Sequence, residues 1–174
     1  MMKLVRTVLA HWLLWALFAS ALMLAIAHAF ETFGGLAPCT LCLKQREVYW
    51  VAGTVALVGA VVVRLSGFAR WRWAFEAALT VIFAAGLFYA IYHAGAEWKF
   101  WPGPTTCSGG GAKVDLASLA AVAKGTVRVK PPACDQAAWV FLGLSMAGWN
   151  ALISLKLLFW SAWATIHDRR ASAA

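Results

Sequence analysis

The stretch "LCLKQREVYWVAGTVALVGAVVVRLSGFARWR", residues 41–72, runs from Val48 to Val63 without a charged side chain and is closed by Arg46 and Glu47 on one side and Arg64 on the other. A helix crossing a bilayer core needs about 20 apolar residues, with roughly 17 to 25 the usual range. This run is short, but the two arginines extend it by laying their stems along the lipid and lifting their charges to the interface. Working outward, three further windows lack Asp, Glu, Lys and Arg: Thr7 to Phe30, Ala77 to Ala96 and Gln136 to Leu155. Each is long enough unaided. The pattern predicts an all-α membrane protein, a four-transmembrane-helix bundle forming one integral membrane domain over residues 1–174. Its helices are expected at about 8–30, 46–64, 74–93 and 137–160, with loops at about 31–45 and 94–136. No strand is apparent.

Composition agrees. Hydrophobic residues make up 63% of the 174, against roughly 45–50% in a soluble domain. The formal charge of +8 sits between the apolar runs rather than on one patterned face, which marks membrane flanks and not a nucleic-acid surface. Lys3 and Arg6 ahead of an apolar run, with "AHA" at 27–29, mimic a secretory signal. The run exceeds the roughly 7–15 residues of a signal core, so it is read as helix 1. Trp and Tyr gather near the window ends, among them Trp12, Trp15, Tyr49, Trp50, Trp98 and Trp163, as interfacial belts do. Ala52, Ala56 and Ala60 are spaced to let a neighbouring helix approach closely.

Four spans put both termini on one side. Lys3, Arg6, Arg64, Arg70, Arg72, Arg169 and Arg170 fall there, and Lys44, Arg46, Lys99, Lys113, Lys124, Arg128 and Lys130 fall opposite. The numbers balance. The first set is denser, with three arginines inside "RLSGFARWR", so the terminus side is assigned to the cytoplasm. All four cysteines then lie on the opposite side, Cys39 and Cys42 in the first loop, Cys107 and Cys134 in the second. Disulfides persist on the oxidising face of a membrane, here the periplasm. Within the second loop, Pro102, Pro104 and Gly109 to Gly111 hold Cys107 in an extended stretch. "VDLASLAAVAKG", 114–125, predicts a short helix capped by Asp115 and stopped by Gly125, lying on the bilayer surface or packed on the bundle.

Cys39 and Cys42 form a C-x-x-C pair after Pro38. With the helix itself starting at Cys42 or Leu43, Cys42 takes the N-terminal position that favours a thiolate, and Arg46 follows one turn later. So tight a loop gains little entropic stabilisation from a disulfide, which favours redox chemistry over a structural staple. A four-cysteine zinc cage is disfavoured because only one tight knuckle is present, so no metal site is expected. Cys107 and Cys134 supply a second pair suited to exchange with a partner, or alternatively a loop staple. Electrons must then leave. Iron–sulfur ligation consumes the cysteines, haem could use His28 and His93 although lone histidines at a membrane interface are more often structural, and no dinucleotide fingerprint follows a strand. A lipid-soluble quinone remains, with Arg46 as a group for its carbonyl oxygens.

These residues carry a resemblance. "CTLCLKQR" around Cys39, Cys42 and Arg46, "WPGPTTC" ending at Cys107, and "CDQAAWVFLGLSMAGW" from Cys134 to Trp149 resemble disulfide bond formation protein B, DsbB, of bacterial inner membranes, over essentially the whole chain. The resemblance implies a membrane thiol:quinone oxidoreductase that reoxidises a periplasmic DsbA-like thioredoxin-fold dithiol protein. It implies that the partner attacks a Cys107–Cys134 disulfide to form a mixed disulfide at Cys107. Cys134 then attacks Cys39, and the Cys39/Cys42 pair passes two electrons to ubiquinone or menaquinone. It assigns Arg46 to the quinone and the Cys42 thiolate, and matches His93 to a histidine linked to the quinone site or to a structural one. It places the chain in the bacterial inner membrane as a multi-pass protein with cytoplasmic termini and periplasmic cysteines. Gln45, acidic in some relatives, and "SGGG" after Cys107 depart from the pattern and bear on partner affinity. The alternatives are a vitamin K epoxide reductase-like enzyme, in which the order of the cysteine pairs is reversed, and a structural or transport protein with loop disulfides. Few intramembrane polar residues, chiefly Ser145 and Asn150, are present to make a transport path.

Overall fold

A computed structural model of the chain describes residues 7–65, 69–104 and 134–173. After a helical turn over 7–10 come α1 (Trp12–Thr32), α2 (Thr40–Leu65), a 3-10 turn (Ala69–Trp71), α3 (Arg72–Glu97), a hairpin of β1 (Val140–Phe141) and β2 (Leu144–Ser145), and α4 (Met146–Ala173). Helix α1 packs on α2, α2 on α3 and α3 most extensively on α4. Cys107 and the predicted helix at 114–125 lie outside the described residues.

The packing is inverted relative to a soluble bundle. Leu14, Phe18, Val51, Val58, Val81, Phe88 and Phe159 point outward, while Ala16, Ser20, Ala52, Ala56, Ala90, Ser154, Ser161 and Ala164 are buried. Small residues inside let helices approach closely when lipid is the solvent. Polar groups join the helices where they meet: the Trp12 indole donates to Ser161 Oγ at 3.0 Å across α1 and α4. At the end near the described termini, Arg72 pairs with Asp168 and Glu76 and donates to the carbonyls of Leu9 and Ala10, latching the turn ahead of α1 to α3 and α4.

Among the described residues three helices, α1, α2 and α3, are long and apolar enough to cross a membrane. The chain is thus a multi-pass membrane protein. The expected fourth span is not shown. Helix α4 is long, but Asn150, Ser154, Lys156, Ser161 and the charged run from His167 to Arg170 lower its apolar character.

Several expected boundaries move. Helix α2 starts at Thr40 rather than at 42 or 46, and α3 runs on to Glu97, one turn beyond the expected end at 93. At that end Lys99 takes a left-handed conformation (φ 64°), Lys99 N–H bonds Ala96 O and Phe100 N–H bonds Gly95 O. This is the pattern that closes a helix on a left-handed residue. Lys99 Nζ then reaches the carboxylate and carbonyl of Asp135, at 2.7 Å each, tying the residue after Cys134 to the end of α3. The last helix starts at Met146 and not near 137, because "VFLGLS" folds into a hairpin. Val140 pairs with Ser145 and Phe141 with Leu144. Leu142 (φ 50°) and Gly143 (φ 79°) form its two-residue turn, the positive-φ geometry that matches the strand twist.

Candidate functional site

The start of α2 builds the site. Cys39 is the N-cap residue: its carbonyl accepts the Leu43 N–H at 3.0 Å and its sulfur accepts the Cys42 N–H at 3.3 Å. A side-chain acceptor on the third helical N–H is the usual capping role of Ser or Asp; here sulfur fills it. The sequence expectation gave the helix-terminal position to Cys42. Because α2 starts earlier, the cap and its dipole act on Cys39 instead. The two sulfurs are free thiols 3.0 Å apart, Cys39 buried and Cys42 partly open. The hydrogen bond from Cys42 lowers the Cys39 thiol from its ordinary 9.0 to about 4; burial opposes this, and His93 and the Cys42 backbone N–H assist it. Cys39 is therefore the sulfur on which charge rests.

A directional hydrogen-bond chain stands behind that thiolate. Gln45 Nε2 donates to the Leu41 carbonyl at 3.2 Å, and a carbonyl can only accept. That fixes which end of the amide is nitrogen. The second Nε2 hydrogen goes to His93 Nδ1 at 2.9 Å, and Gln45 Oε1 accepts from Asn150 Nδ2. Asn150 Oδ1 in turn accepts the Tyr49 hydroxyl hydrogen at 2.5 Å, and Tyr49 meets Ser154 at 3.2 Å. With Nδ1 occupied as an acceptor, the His93 ring hydrogen sits on Nε2, 3.6 Å from Cys39 Sγ. One backbone carbonyl thereby orients the whole chain so that an N–H faces the sulfur.

Arg46 occupies the other side of α2. Its guanidinium meets Glu31 Oε2 at 2.5 Å and the Ala27 carbonyl at 3.0 Å, bridging α2 to the end of α1. Arg46, Gln45, Tyr49, His93, Asn150 and Cys42 all line one cavity of about 350 Å³, whose remaining walls include Met23, Phe30, Leu36, Trp139, Phe141 and Ile153. Apolar walls with a few convergent polar groups are the usual make-up of a small-molecule site of this size. Cys42 opens onto this cavity and Cys39 does not.

Cys39 faces the other way, into a buried cluster with Leu41 and Cys134. Cys134 is fully buried, disulfide-bonded, and 3.6 Å from the Thr40 hydroxyl. Of the site residues expected from the sequence, Cys39, Cys42, Arg46, His93 and Cys134 thus converge at one end of the bundle. Tyr49, assigned to an aromatic belt, is instead a buried member of the polar chain. Glu31, Gln45, Asn150 and Glu97 join the site without having been predicted there. The i, i+4 pairs Gln45/Tyr49 and Asn150/Ser154 were visible as polar stripes, but nothing local signalled that they meet.

Cys39, Cys42 and His93 also lie close enough together to hold a metal ion in the reduced state. What distinguishes the two sulfurs is that Cys42 lines the cavity and Cys39 is buried beside Cys134. Comparison with known proteins gives the same direction. The sequence matches the family described as "Disulfide bond formation protein DsbB" over residues 9–164. A curated relative, "Disulfide bond formation protein B" of Acinetobacter baylyi (strain ATCC 33305 / BD413 / ADP1), is 31% identical over 143 residues, covering 80% of this chain and 81% of the relative.

Proposed function

This chain belongs to the DsbB family of disulfide bond formation proteins, and on that premise we propose that it is a thiol:quinone oxidoreductase that reoxidises a periplasmic thioredoxin-fold dithiol protein. The observation that carries this reading is the placing of one dithiol between Cys134 and a cavity: Cys39 is buried with Cys134, and Cys42, which packs on the same cluster, alone of the two lines the apolar cavity. The relay starts at a Cys107–Cys134 disulfide, with the incoming thiolate taking Cys107. The freed Cys134 attacks Cys39 of the oxidised inner pair, and Cys42 leaves toward the cavity. Exchange requires the attacking sulfur to reach the disulfide it breaks, and the shared burial of Cys134 and Cys39 supports that contact.

The cavity fits a quinone head group in size and in its apolar walls. A quinone, ubiquinone or menaquinone, supplies a two-electron, two-proton acceptor. Arg46 would hold a carbonyl oxygen with guanidinium N–H groups not used on Glu31 and Ala27. Gln45 and Asn150 keep the wall polar at one point, and His93 holds the Cys39 side of the pair. We read α4 as the fourth span, since at about 1.5 Å per residue its 28 residues reach across a bilayer. Its buried Asn150, Ser154 and Ser161 turn inward rather than toward lipid. Both termini are then cytoplasmic and the thiols periplasmic in a bacterial inner membrane. The test is reduction of a soluble ubiquinone analogue by purified protein supplied with a reduced thioredoxin-fold dithiol protein. Turnover is expected in the wild type and none in Cys42→Ser; undiminished turnover in that variant refutes the proposal. Trapping on Cys107 in a Cys134→Ser variant identifies the partner.

A further inference from the structure

Glu97 is an acid carried into the thiol site that the sulfur relay does not use. Its side chain is only 5% exposed although α3 ends there. One carboxyl oxygen lies 3.7 Å from His93 Nε2 and the other has no hydrogen-bond partner. The Ser145 hydroxyl reaches the carboxyl from β2, and the other titratable groups facing it are His93 on α3 and Cys39 and Cys42 at the start of α2. Among the described residues no Lys or Arg pairs with it; the nearby Lys99 is turned to Asp135. A buried carboxylate with an unbonded oxygen and no cation is costly.

The same His93 nitrogen stands 3.6 Å from Cys39 Sγ and 3.7 Å from Glu97. It has one hydrogen, and both neighbours become anions. When Cys39 is a thiolate, the N–H goes to sulfur and the carboxyl keeps only the Ser145 hydroxyl, with its second oxygen unbonded. When Cys39 is in a disulfide it carries no charge, and the N–H is free for the carboxylate.

We propose that Glu97 is a redox-linked proton store for the dithiol, protonated while Cys39 and Cys42 are reduced and ionised while they are joined. The inference rests on the quinone oxidoreductase reading. The reduced site holds a Cys39 thiolate, a Cys42 thiol and a Glu97 carboxylic acid. Oxidation by a quinone forms the Cys39–Cys42 bond and removes two electrons. Two protons leave with them, one from Cys42 and one from Glu97, and the remaining carboxylate accepts the His93 N–H. One negative charge is present before and after. The buried site therefore changes redox state without changing charge, which avoids the penalty of charging a low-dielectric interior.

The test needs no quinone. The inner dithiol of the full-length purified protein is oxidised with ferricyanide, which takes electrons but no protons, while a pH indicator counts protons released at neutral pH. Two protons per disulfide are expected in the wild type and one in Glu97→Gln, a twofold difference that follows from the balance above. Infrared difference spectra should show a protonated-carboxyl stretch in the reduced wild type that is lost on oxidation and is missing in Glu97→Gln. Equal proton counts in the two proteins, or a carboxyl band that ignores the redox state, overturns the store. The wild-type spectrum decides even if the variant does not fold. Failure of quinone turnover with the band and count intact falls on the quinone reading, since neither measurement involves a quinone.

Discussion

Replacing Gln45 with leucine should make Cys39 a weaker acid without emptying the core. Gln45 is 8% exposed, and leucine fills similar space while removing two donors and one acceptor. His93 Nδ1 then loses its donor and Asn150 Nδ2 its acceptor. The imidazole hydrogen is no longer confined to Nε2, so the contact with Cys39 Sγ weakens. A hydrogen bond to a charged group is worth about 1.5–3 kcal/mol, and about 1.36 kcal/mol moves a pKa by one unit. The Cys39 titration should therefore rise by about 1–2 units. The starting value is about 4, and the Cys42 hydrogen bond, the largest cause, is untouched, so the variant thiol still titrates well below 9. The sign is that of a depressed acid: the thiolate persists as pH falls until the midpoint is reached, and in the variant it is lost at higher pH. Alkylation of Cys39 in reduced protein, followed peptide by peptide with mass spectrometry from acid to neutral pH, reads the midpoint. His93→Ala should give a similar shift, and the double variant no more than either single one, because both cut the same contact. An unmoved midpoint in Gln45→Leu, or full additivity with His93→Ala, would show that the amide does not govern the sulfur.

Three further substitutions probe other parts of the argument. Arg46→Lys keeps the charge but cannot bridge Glu31 and the Ala27 carbonyl while also meeting a ligand; apparent quinone affinity should fall about tenfold, about one charged hydrogen bond, and an unchanged KM would detach Arg46 from the cavity. In Gly95→Ala the new methyl group would overlap Trp101 Cζ2, forcing the indole off its stack on Tyr92 and its bond to the Tyr92 carbonyl. A loss of about 1–3 kcal/mol is expected, read as a lower thermal midpoint, and no change would mean the indole moves freely. Gly143→Ala places a methyl group at φ 79° in the hairpin turn, at a cost of about 1–2 kcal/mol; Gly143→Asn should be milder, and equal loss in the two would count against a turn-geometry origin.

Much of this organisation was readable from the chain. Charge-free windows located the three apolar helices, and cysteine spacing with Arg46 one turn on located the site. Local signals failed where tertiary contacts decide. Cys39 is not a usual capping residue, so nothing marked α2 as starting at Thr40. "VFLGLS" shows no alternation because its strands are two residues each and apolar but for Ser145, and Gly143 alone marked its turn. Glu97 was read as the residue ending an apolar window, which hid its i, i+4 relation to His93 on a helix that runs one turn further. The polar chain joins Gln45 to Asn150 across 105 positions, a pairing no periodicity can reveal.

Holding charge on Cys39 also sets how strongly the inner pair draws electrons. Stabilising a thiolate stabilises the reduced form, and about 1.4 kcal/mol corresponds to about 30 mV for a two-electron couple. A thiol titrating near 4 lies about three units below neutral pH, so the thiolate contributes about 4 kcal/mol, or about 90 mV of oxidising power, at pH 7. Removing the His93 contact should lower the potential of the Cys39–Cys42 pair by about 30–60 mV, matching a shift of one to two units. The pH slope separates this effect from the proton store. A thiolate–thiol pair alone exchanges one proton with its two electrons, a slope of about 30 mV per pH unit. With Glu97 taking up the second proton, the slope doubles to about 60 mV. Redox titration of the wild type and Glu97→Gln across neutral pH should therefore give lines differing twofold in slope. Parallel lines would mean that the carboxyl next to His93 keeps the same protonation whether the sulfurs are joined or apart.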